Sequence, residues 1–398
     1  MSRKVKIGAI GMGQRGSMLL KDVLTKLDVM QVVAVCDEYE DRAQAAKECV
    51  LAENGFEPFC TTDYREVIHH PEVEAVLVLS AWESHINIAV ECMKAGKRVG
   101  MEVGGAYSVD DCWRLVRTSE ETGVPCMLLE NCCYGRKEMM VMNMVKLGLF
   151  GEIVHCSGGY CHDLRNEIAF GKEIRHYRLR NYLNRNCENY PTHELGPIAQ
   201  ILGINRGNRM VSLVSVASCA KGLKEYIRNN PEADKSLLDK TVAQGDVVTT
   251  TIKCAHGQTI VLKLDTTLPR GYSRGFTVQG TKGMYQEDTD SVFLDGVHNE
   301  FHENWKPQWG NAEKYREEYD HPLWKQYLAD GVMAGHGGMD GLVMKAFADS
   351  VIDQTEPPID VYDTAAWMCI SALSEESIAT GNTVAVPDFT NGMWLRRK

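Results

Sequence analysis

Short runs of apolar residues alternate with stretches of helical periodicity along the first third of the chain. The runs are rich in β-branched residues, as buried parallel strands are, whereas the stretches between them repeat their apolar positions every three to four residues. This alternation predicts a doubly wound parallel sheet with helices on both faces. The predicted strands are Val5–Ile10, Val32–Cys36, Val73–Leu79, Arg98–Val103 and Pro125–Asn131.

The pattern becomes strand-rich after Asn131. Gly280-Thr281-Lys282-Gly283 separates two of the new strands as a hairpin turn. The predicted elements are a helix over Lys137–Leu147, strands over Gly151–Tyr160, Val211–Ser218, Val247–Cys254, Thr259–Asp265, Gly275–Gly280 and Gly283–Gln286, and an apolar helix over Thr364–Thr380. The sequence therefore predicts an α/β protein. Residues 1–130 form a Rossmann domain, and residues 131–398 form an α+β domain for substrate binding and oligomerisation, with a large, open, mostly antiparallel sheet.

A glycine-rich turn links the first predicted strand to a helix. Gly11, Gly13 and Gly16 have the spacing that lets a tight turn, a close approach to a pyrophosphate and close helix–strand packing occur together. The free N–H groups at the start of the helix would then face the phosphates. Asp37 follows about 20 residues later, where an acid accepts hydrogen bonds from ribose and repels a 2′-phosphate. The cofactor predicted is NAD; the alternative for Asp37 is a solvated acid at a strand end.

Polar or bulky side chains stand at the carboxyl ends of the other predicted strands. Ligands of doubly wound sheets bind outside these ends, so these residues are candidates to line the cofactor. Packing is the alternative for Trp82, and a hydrogen bond at a helix start is the alternative for His85. The set is Ser80, Trp82, His85, Glu102, Val103 and Asn131.

Composition excludes several other functions. The net charge of -11 and the pI of about 5.6 argue against nucleic acid or an anionic membrane surface as partner. No run of 18 apolar residues and no signal-peptide core occur, so we expect no membrane span and a cytoplasmic location. The 14 cysteines are scattered without paired Cys-x-x-Cys spacing, which favours reduced thiols and indicates no metal site.

The segment from Tyr190 to His193 has the strongest chemical signal in the second half. It places a phenol and an imidazole three positions apart around Pro191, which restricts the preceding residue to an extended conformation. We expect a helix to begin near His193 with Thr192 as its cap, so that both rings face one pocket as proton-transfer groups. The alternative is that Tyr190 packs and His193 hydrogen-bonds a carbonyl, and the spacing alone does not decide.

These motifs resemble glycoside hydrolase family 109, the NAD-dependent α-N-acetylgalactosaminidases, a branch of the glucose–fructose oxidoreductase and inositol dehydrogenase family. The resemblance covers nearly the whole chain. Its most specific segments are Trp82-Glu83-Ser84-His85, Glu102-Val103, residues 130–136, residues 190–193, Leu195-Gly196-Pro197, residues 268–273 and residues 336–340.

The resemblance assigns residues to the cofactor and to a sugar. It implies that NAD is contacted by Gln14, Arg15, Asp37, Trp82, His85, Glu102, Val103, Asn131 and Tyr190. It implies that Tyr160, Arg178, Tyr190, Thr192, His193 and Tyr272 line the site of a small glycoside or oligosaccharide, with Arg180 a close rival of Arg178. It also implies a reaction in which the sugar C3 hydroxyl is transiently oxidised, a base among Tyr190, His193 and Tyr160 removes the C2 proton, and water replaces the group on C1.

The chain departs from these family patterns at informative positions. The wider family carries Glu-Lys-Pro where this chain has Glu102-Val103-Gly104, and valine cannot transfer the proton that the lysine transfers. The hydrolase branch also has valine there, but it has proline at 104, Gly-Asn-Leu at 187–189 and glycine at 194, where this chain has Glu194. The alternatives are a net NAD-dependent sugar or polyol dehydrogenase and a non-catalytic dinucleotide sensor. Because open sheets often pair with another subunit, we expect a homo-oligomer.

Overall fold

The contacts within the chain divide it into two compact units. The computed structural model describes residues 3–298, 306–332 and 335–397. The first unit comprises Met1–Tyr134 and Asp330–Ala365, and the second comprises Gly135–Ala329 and Ala366–Lys398. The segment Asp330–Ala365 therefore belongs to the same unit as the N-terminal part of the chain. The functional boundary between residues 130 and 131 stays a prediction.

The first unit contains a six-stranded parallel sheet with the order β3-β2-β1-β4-β5-β6. Its strands are β1 (Val5–Ile10), β2 (Met30–Cys36), β3 (Phe59–Thr61), β4 (Ala75–Val78), β5 (Arg98–Met101) and β6 (Cys126–Leu128). The central strands β1 and β4 are almost fully buried, as their continuous apolar runs predict. The sequence pattern missed β3, because this edge strand has three partly exposed residues and no apolar run.

The second unit contains an eight-stranded sheet with the order β13-β12-β11-β7-β10-β9-β8-β14. Only the β7–β10 pair among these neighbours is parallel. The strands are β7 (Ile153–Cys161), β8 (Met210–Ala217), β9 (Val247–Cys254), β10 (Thr259–Asp265), β11 (Thr277–Gly280), β12 (Gly283–Gln286), β13 (Ser291–Leu294) and β14 (Val384–Ala385). Buried and exposed positions alternate along β9, so one face of this sheet is covered and the other is open. The predicted fold class is confirmed.

The helices follow the predicted periodicities. Ser108 caps α5 by accepting a hydrogen bond from the Asp111 N–H, and Gly123 ends that helix in the left-handed conformation. In chain order, the α-helices of the described residues are α1 (Gln14–Leu19), α2 (Glu40–Asn54), α3 (Tyr64–His69), α4 (Trp82–Lys94), α5 (Val109–Thr122), α6 (Arg136–Lys146), α7 (Arg165–Ala169), α8 (Arg178–Asn184), α9 (Thr192–Ile201), α10 (Gly222–Asn229), α11 (Glu313–Tyr319), α12 (Pro322–Asp330), α13 (Met339–Asp353) and α14 (Val361–Thr380). Within the described ranges, none of these helices is long and apolar enough to cross a membrane.

Candidate active site

The glycine turn of the first unit has space for a ligand at one glycine and none at the other two. Gly11 has φ +99°, and a Cβ there would lie 2.4 Å from the Ser80 nitrogen. A Cβ on Gly16 would lie 2.0 Å from the Gly11 oxygen. A Cβ on Gly13, by contrast, would have no protein atom nearer than 3.7 Å. The turn therefore needs Gly11 and Gly16 for folding, and it has open space at Gly13 for a pyrophosphate at the start of α1.

Gly13→Ala is expected to leave the cofactor-free protein as stable as wild type and to weaken NAD binding at least about tenfold. The new methyl group meets only ligand space, because the backbone at 13 has an ordinary extended conformation. Isothermal titration with NAD and thermal unfolding without it measure the two effects. Gly11→Ala is the contrasting variant, since it should lower the melting temperature even without cofactor. Unchanged NAD affinity in Gly13→Ala would contradict this placement of the pyrophosphate.

Asp37 contacts the glycine turn. One of its carboxylate oxygens accepts a hydrogen bond from the Met12 N–H at 2.6 Å, and the other accepts from the Tyr39 N–H at 3.0 Å. A carboxylate has about four acceptor positions, so these two bonds leave acceptor capacity for ribose hydroxyls. The side chain is buried, which excludes the solvated strand-end alternative. Its contact with ribose stays a prediction.

His85 and Trp82, which follow β4 and are predicted to line the cofactor, also contact other residues of the first unit. His85 Nε2 lies 2.8 Å from the Ser80 carbonyl oxygen, and burial lowers the pKa of this imidazole, so the neutral ring donates that bond. Trp82 is the first residue of α4, and a Cβ on Gly104 would lie 2.6 Å from its indole. The absence of a side chain at Gly104, where the family resemblance expects proline, therefore leaves room for the Trp82 indole.

Arg15 is bound by two carboxylates of the first unit. Its Nε lies 2.8 Å from Glu102 Oε1, and its two terminal nitrogens lie 2.9 and 2.8 Å from Asp340. Asn131 donates to Asp340 at 2.8 Å, and His336 Nδ1 lies 2.8 Å from the other Asp340 oxygen. Burial raises the pKa of Asp340, but Arg15 and His336 outweigh it and hold this pKa far below its usual range. Asp340 lies in the first turn of α13, and no sequence spacing links it to Arg15.

Three aromatic rings of the second unit form one cluster. Tyr160 lies at the end of β7, and its ring centroid is 4.4 Å from that of Tyr190 and 5.5 Å from that of His193. The Tyr190 and His193 centroids are 4.7 Å apart in an edge-to-face arrangement. The structure thus brings the three predicted proton-transfer residues together. Tyr272, which is 56% exposed, lies at the margin of the cluster, 6.4 Å from the Tyr160 centroid.

The local backbone corrects one prediction about this cluster. Helix α9 begins at Thr192 itself, and Pro191 occupies the cap position without a side-chain hydrogen bond. The prediction that Thr192 caps the helix is therefore wrong. Proline fixes φ near the helical value, so the turn of the helix begins one residue earlier than a threonine cap would allow. Thr192 is fully buried, and His193 stands in the first turn.

Arg178 gives the cluster a positive charge. Its guanidinium carbon lies 5.4 Å from the Tyr190 ring centroid, and it pairs with Glu167. Burial disfavours the cation, but Tyr177, Glu167, Tyr160 and Tyr190 outweigh it and raise the Arg178 pKa well above its usual range. Arg180 is exposed, so the geometry favours Arg178 between the two rivals.

Two polar residues outside the predicted catalytic and sugar-binding sets border the cluster. The Tyr160 hydroxyl lies 3.0 Å from His162 Nδ1, and burial lowers the pKa of His162, followed by the repulsion from Arg178. Glu167 pairs with Arg178. Burial raises the Glu167 pKa, but Arg178 and His176 outweigh burial and lower this pKa below its usual value. His162 directly follows the end of β7, two residues after Tyr160, and this position at a strand end is visible in the sequence. Glu167 had no such signal.

Glu188, two residues before Tyr190, is a buried carboxyl group. It is 1% exposed, and burial raises its pKa to about 8 against a smaller opposing effect of the Tyr190 backbone N–H. Its own backbone is bound to α14, since its N–H donates to Ser374 Oγ and its carbonyl accepts from Ser371 Oγ. The carboxyl group therefore keeps its proton to a higher pH than an exposed glutamate does.

Glu188→Gln is expected to flatten the pH dependence of stability. In the wild type the folded state keeps the Glu188 proton and the unfolded state loses it between pH 4.5 and about 8. Each pH unit in this window therefore lowers the free energy of unfolding by up to about 1.4 kcal/mol, and glutamine removes that contribution. Urea unfolding from pH 5 to 8 measures it. A pH slope equal to that of the wild type would contradict the raised pKa of Glu188.

Two protein-family models together match nearly all of the chain. A model described as an oxidoreductase family with an NAD-binding Rossmann fold matches residues 5–129. A model described as the C-terminal domain of glycosyl hydrolase 109 matches residues 134–396. The predicted NAD cofactor is confirmed by the first match and by the glycine turn that fits it.

Curated proteins and solved structures give the same picture. A glycosyl hydrolase family 109 protein from Stenotrophomonas maltophilia is 39% identical over 100% of this chain and 91% of its own length. An α-N-acetylgalactosaminidase from Tannerella forsythia is 38% identical over 99% of this chain and 88% of its own. The structure of scyllo-inositol dehydrogenase from Lactobacillus casei with NAD(H) and scyllo-inositol covers 96% of this chain and 99% of its own, with a TM-score of 0.67 and 14% identity. That likeness concerns the fold.

Proposed function

This chain belongs to glycosyl hydrolase family 109, and from this membership we propose that it hydrolyses a small α-N-acetylgalactosaminide with NAD as resident cofactor. It is an NAD-dependent glycosidase, and the sugar and anomer are carried over from the Tannerella forsythia relative. The observation that supports the reaction best is the joint presence of an NAD-binding unit and the phenol–imidazole cluster of Tyr160, Tyr190 and His193.

The first unit has the residues to hold the cofactor. Gly13 leaves room for the pyrophosphate, and Asp37 has free acceptor positions for ribose. We propose that Ser80, Trp82, His85, Glu102, Val103 and Asn131 line the rest of the cofactor site, as their positions after the strands favour. When bound, NAD supplies a reversible oxidation of the sugar C3 hydroxyl, so that no net oxidant is consumed.

The side chains of the second unit have the chemistry for the remaining proton transfers. A ketone at C3 acidifies the C2 hydrogen, and a base among Tyr190, His193 and Tyr160 takes that proton. The C2 electrons form a double bond to C1, and the bond from C1 to the aglycone oxygen breaks, so that the aglycone leaves with that electron pair and takes up a proton. Water then adds to C1 and a proton returns to C2. The Arg178 charge beside the Tyr190 ring favours the phenolate that such a base requires.

Two features argue against other mechanisms. Val103 stands where dehydrogenases of the wider family have a lysine, so the usual group for proton transfer in net alcohol oxidation is missing. An ordinary glycosidase uses two carboxyl groups about 5.5 Å apart when it retains and about 6.5–9.5 Å apart when it inverts the anomeric centre. The cluster instead consists of phenol and imidazole rings, and its neighbour Glu167 is paired with Arg178.

Hydrolysis in deuterated water tests this proposal. We expect the released sugar to contain deuterium at C2, and we expect no net NADH to accumulate. Cleavage without C2 deuterium would sink the elimination mechanism. Stoichiometric NADH from a free sugar, with no cleavage of nitrophenyl glycosides, would instead identify a net sugar or polyol dehydrogenase. NAD binding without turnover on any sugar would favour a sensor.

We also propose a reducing cytoplasmic compartment for this enzyme. The support is that the 14 cysteines, all of which lie in described residues, form no disulfide. Fractionation of cells that produce the protein tests the location, and recovery in an extracellular fraction would contradict it.

Assembly into a homo-oligomer is a further part of the proposal. The support is an open face of the second sheet on which Val214 and Val216 are 39% and 67% exposed. Light scattering after gel filtration measures the assembly, and a monomer at micromolar concentration would contradict it.

A further inference from the structure

Arg274 lies among three carboxylates within the second unit. Its Nε is 3.2 Å from Glu194 Oε1, its Nη2 pairs with Glu138, and the same nitrogen is 3.9 Å from Glu287. The side chains of Glu138, Glu194 and Arg274 are 2%, 1% and 9% exposed. Buried charges of this kind are stable only when they are paired, so the guanidinium is needed where it lies. These four residues are the Arg274 cluster.

The backbone of Arg274 is bound to the strand that carries Tyr160. The Arg274 carbonyl accepts a hydrogen bond from the Gly159 N–H at 2.7 Å. One residue earlier, Ser273 and Cys161 exchange two hydrogen bonds of 3.2 and 3.0 Å. Tyr272 precedes this short antiparallel pairing directly. The position of Tyr272 relative to Tyr160 is therefore determined by the segment that ends at Arg274.

The side chain of Arg274 is bound to the helix that carries His193. Glu194 is the next residue on α9, and it packs against β7 where Gly158 has no side chain. A Cβ on Gly158 would lie 2.7 Å from Glu194 Cβ and 2.8 Å from its Cγ. Because Cβ is fixed to the helix backbone, α9 and β7 approach here as closely as their side chains allow.

We propose that Arg274 is a positioning residue for the reaction, since its backbone contacts β7 and its side chain contacts α9. It thereby sets the distances among Tyr160, His193 and Tyr272. Only the expected effect of Arg274 on kcat rests on the proposed function. The pairing with Arg274 accounts for how a buried carboxylate is tolerated beside His193.

The kinetic test compares Arg274→Met with a matched variant. Loss of the cation leaves two buried carboxylates to repel each other, and a displacement of about 1 Å in a site of this kind costs about 10²-fold in rate. We expect Arg274→Met to lower kcat for glycoside cleavage by about that factor with unchanged NAD content, and Arg274→Lys to restore part of it. Arg136→Met is the control, because it breaks the pair with the buried Asp320 elsewhere in the same unit. The control should change kcat less than about twofold.

The coupling of the two side chains gives a second measurement. If Arg274 acts through Glu194, the increase in activation free energy in the Arg274→Met/Glu194→Gln double variant is smaller than the sum of the increases in the two single variants. Additive losses would contradict that pairing as the route. Glu194→Gln also serves alone if Arg274→Met does not fold, since it removes one charge and keeps the side-chain volume. A kcat within about twofold of wild type in both single variants would overturn the proposal.

Crystal structures separate this inference from the proposed function. If the wild type cleaves no glycoside, the proposed function fails while the positioning role remains measurable. We then expect the Tyr160–His193 and Tyr160–Tyr272 centroid distances, 5.5 and 6.4 Å in the wild type, to change by about 1 Å or more in Arg274→Met. Unchanged rings in that variant would overturn the positioning role whatever the enzyme cleaves.

Discussion

Tyr190→Phe is expected to lower kcat for glycoside cleavage by about 10²- to 10⁴-fold, the usual contribution of a positioned acid or base. The Tyr190 ring centroid lies 4.4 Å from that of Tyr160 and 4.7 Å from that of His193, and the Arg178 guanidinium carbon lies 5.4 Å from it. Phenylalanine keeps this packing and removes the only atom that exchanges a proton. Steady-state kinetics with a nitrophenyl glycoside and the NAD content of the purified variant measure the effect.

Tyr285→Phe is the matched control for this variant. Tyr285 is buried in β12 of the same unit, and its hydroxyl donates to Asp290 at 3.0 Å. Losing that bond costs about 1 kcal/mol of stability, and kcat should stay at the wild-type value. C2 exchange distinguishes the candidate bases: the variant that loses exchange together with cleavage identifies the base. Full activity in Tyr190→Phe would leave His193 and Tyr160 as the remaining candidates.

Arg15→Met is expected to cost about 3–5 kcal/mol of unfolding free energy, the usual result of removing one partner of a buried ion pair. Asp340 and Glu102 are 0% and 5% exposed, and in this variant both lose the guanidinium, while Asp340 keeps its contacts with His336 and Asn131. Arg3→Met is the control in the same unit, because its pair with Glu74 is exposed and should contribute less than about 1 kcal/mol. Urea unfolding at pH 7 measures both variants, and equal losses would contradict the buried pair.

The same pair determines a pH dependence. The Asp340 pKa lies far below its usual range in the folded protein, so the unfolded state binds this proton first as pH falls. The stabilising contribution is complete above the unfolded pKa of about 3.9 and decreases as pH falls through the folded value. The difference between wild type and Arg15→Met should therefore be constant near neutrality and shrink below about pH 4. A difference that shrinks with rising pH would contradict it.

The sequence alone determined the elements and much of the chemistry. Continuous apolar runs and helical periodicity identified the parallel sheet, because a strand buried on both faces has no polar positions. The glycine spacing identified the NAD turn, since only glycine fits where Gly11 and Gly16 pack. The spacing of Tyr190 and His193 allowed a shared pocket but did not decide it, and the ring contacts with Tyr160 appear only in the structure. The prediction of Thr192 as the cap was wrong, because Pro191 has a φ near the helical value and itself occupies the cap position.

Tertiary structure alone decided which charges meet. Arg15 lies 325 residues from Asp340, and Glu138 and Arg274 come from segments with no shared pattern. Local propensity carries no information about such pairs, because their energy depends on burial and on distances that exist only after the chain has folded. The Tyr-Pro-Thr-His segment could therefore be recognised from its letters. The aromatic partner Tyr160, the cation Arg178 and the Arg274 cluster beside it were brought to it by the packing of α9 on β7.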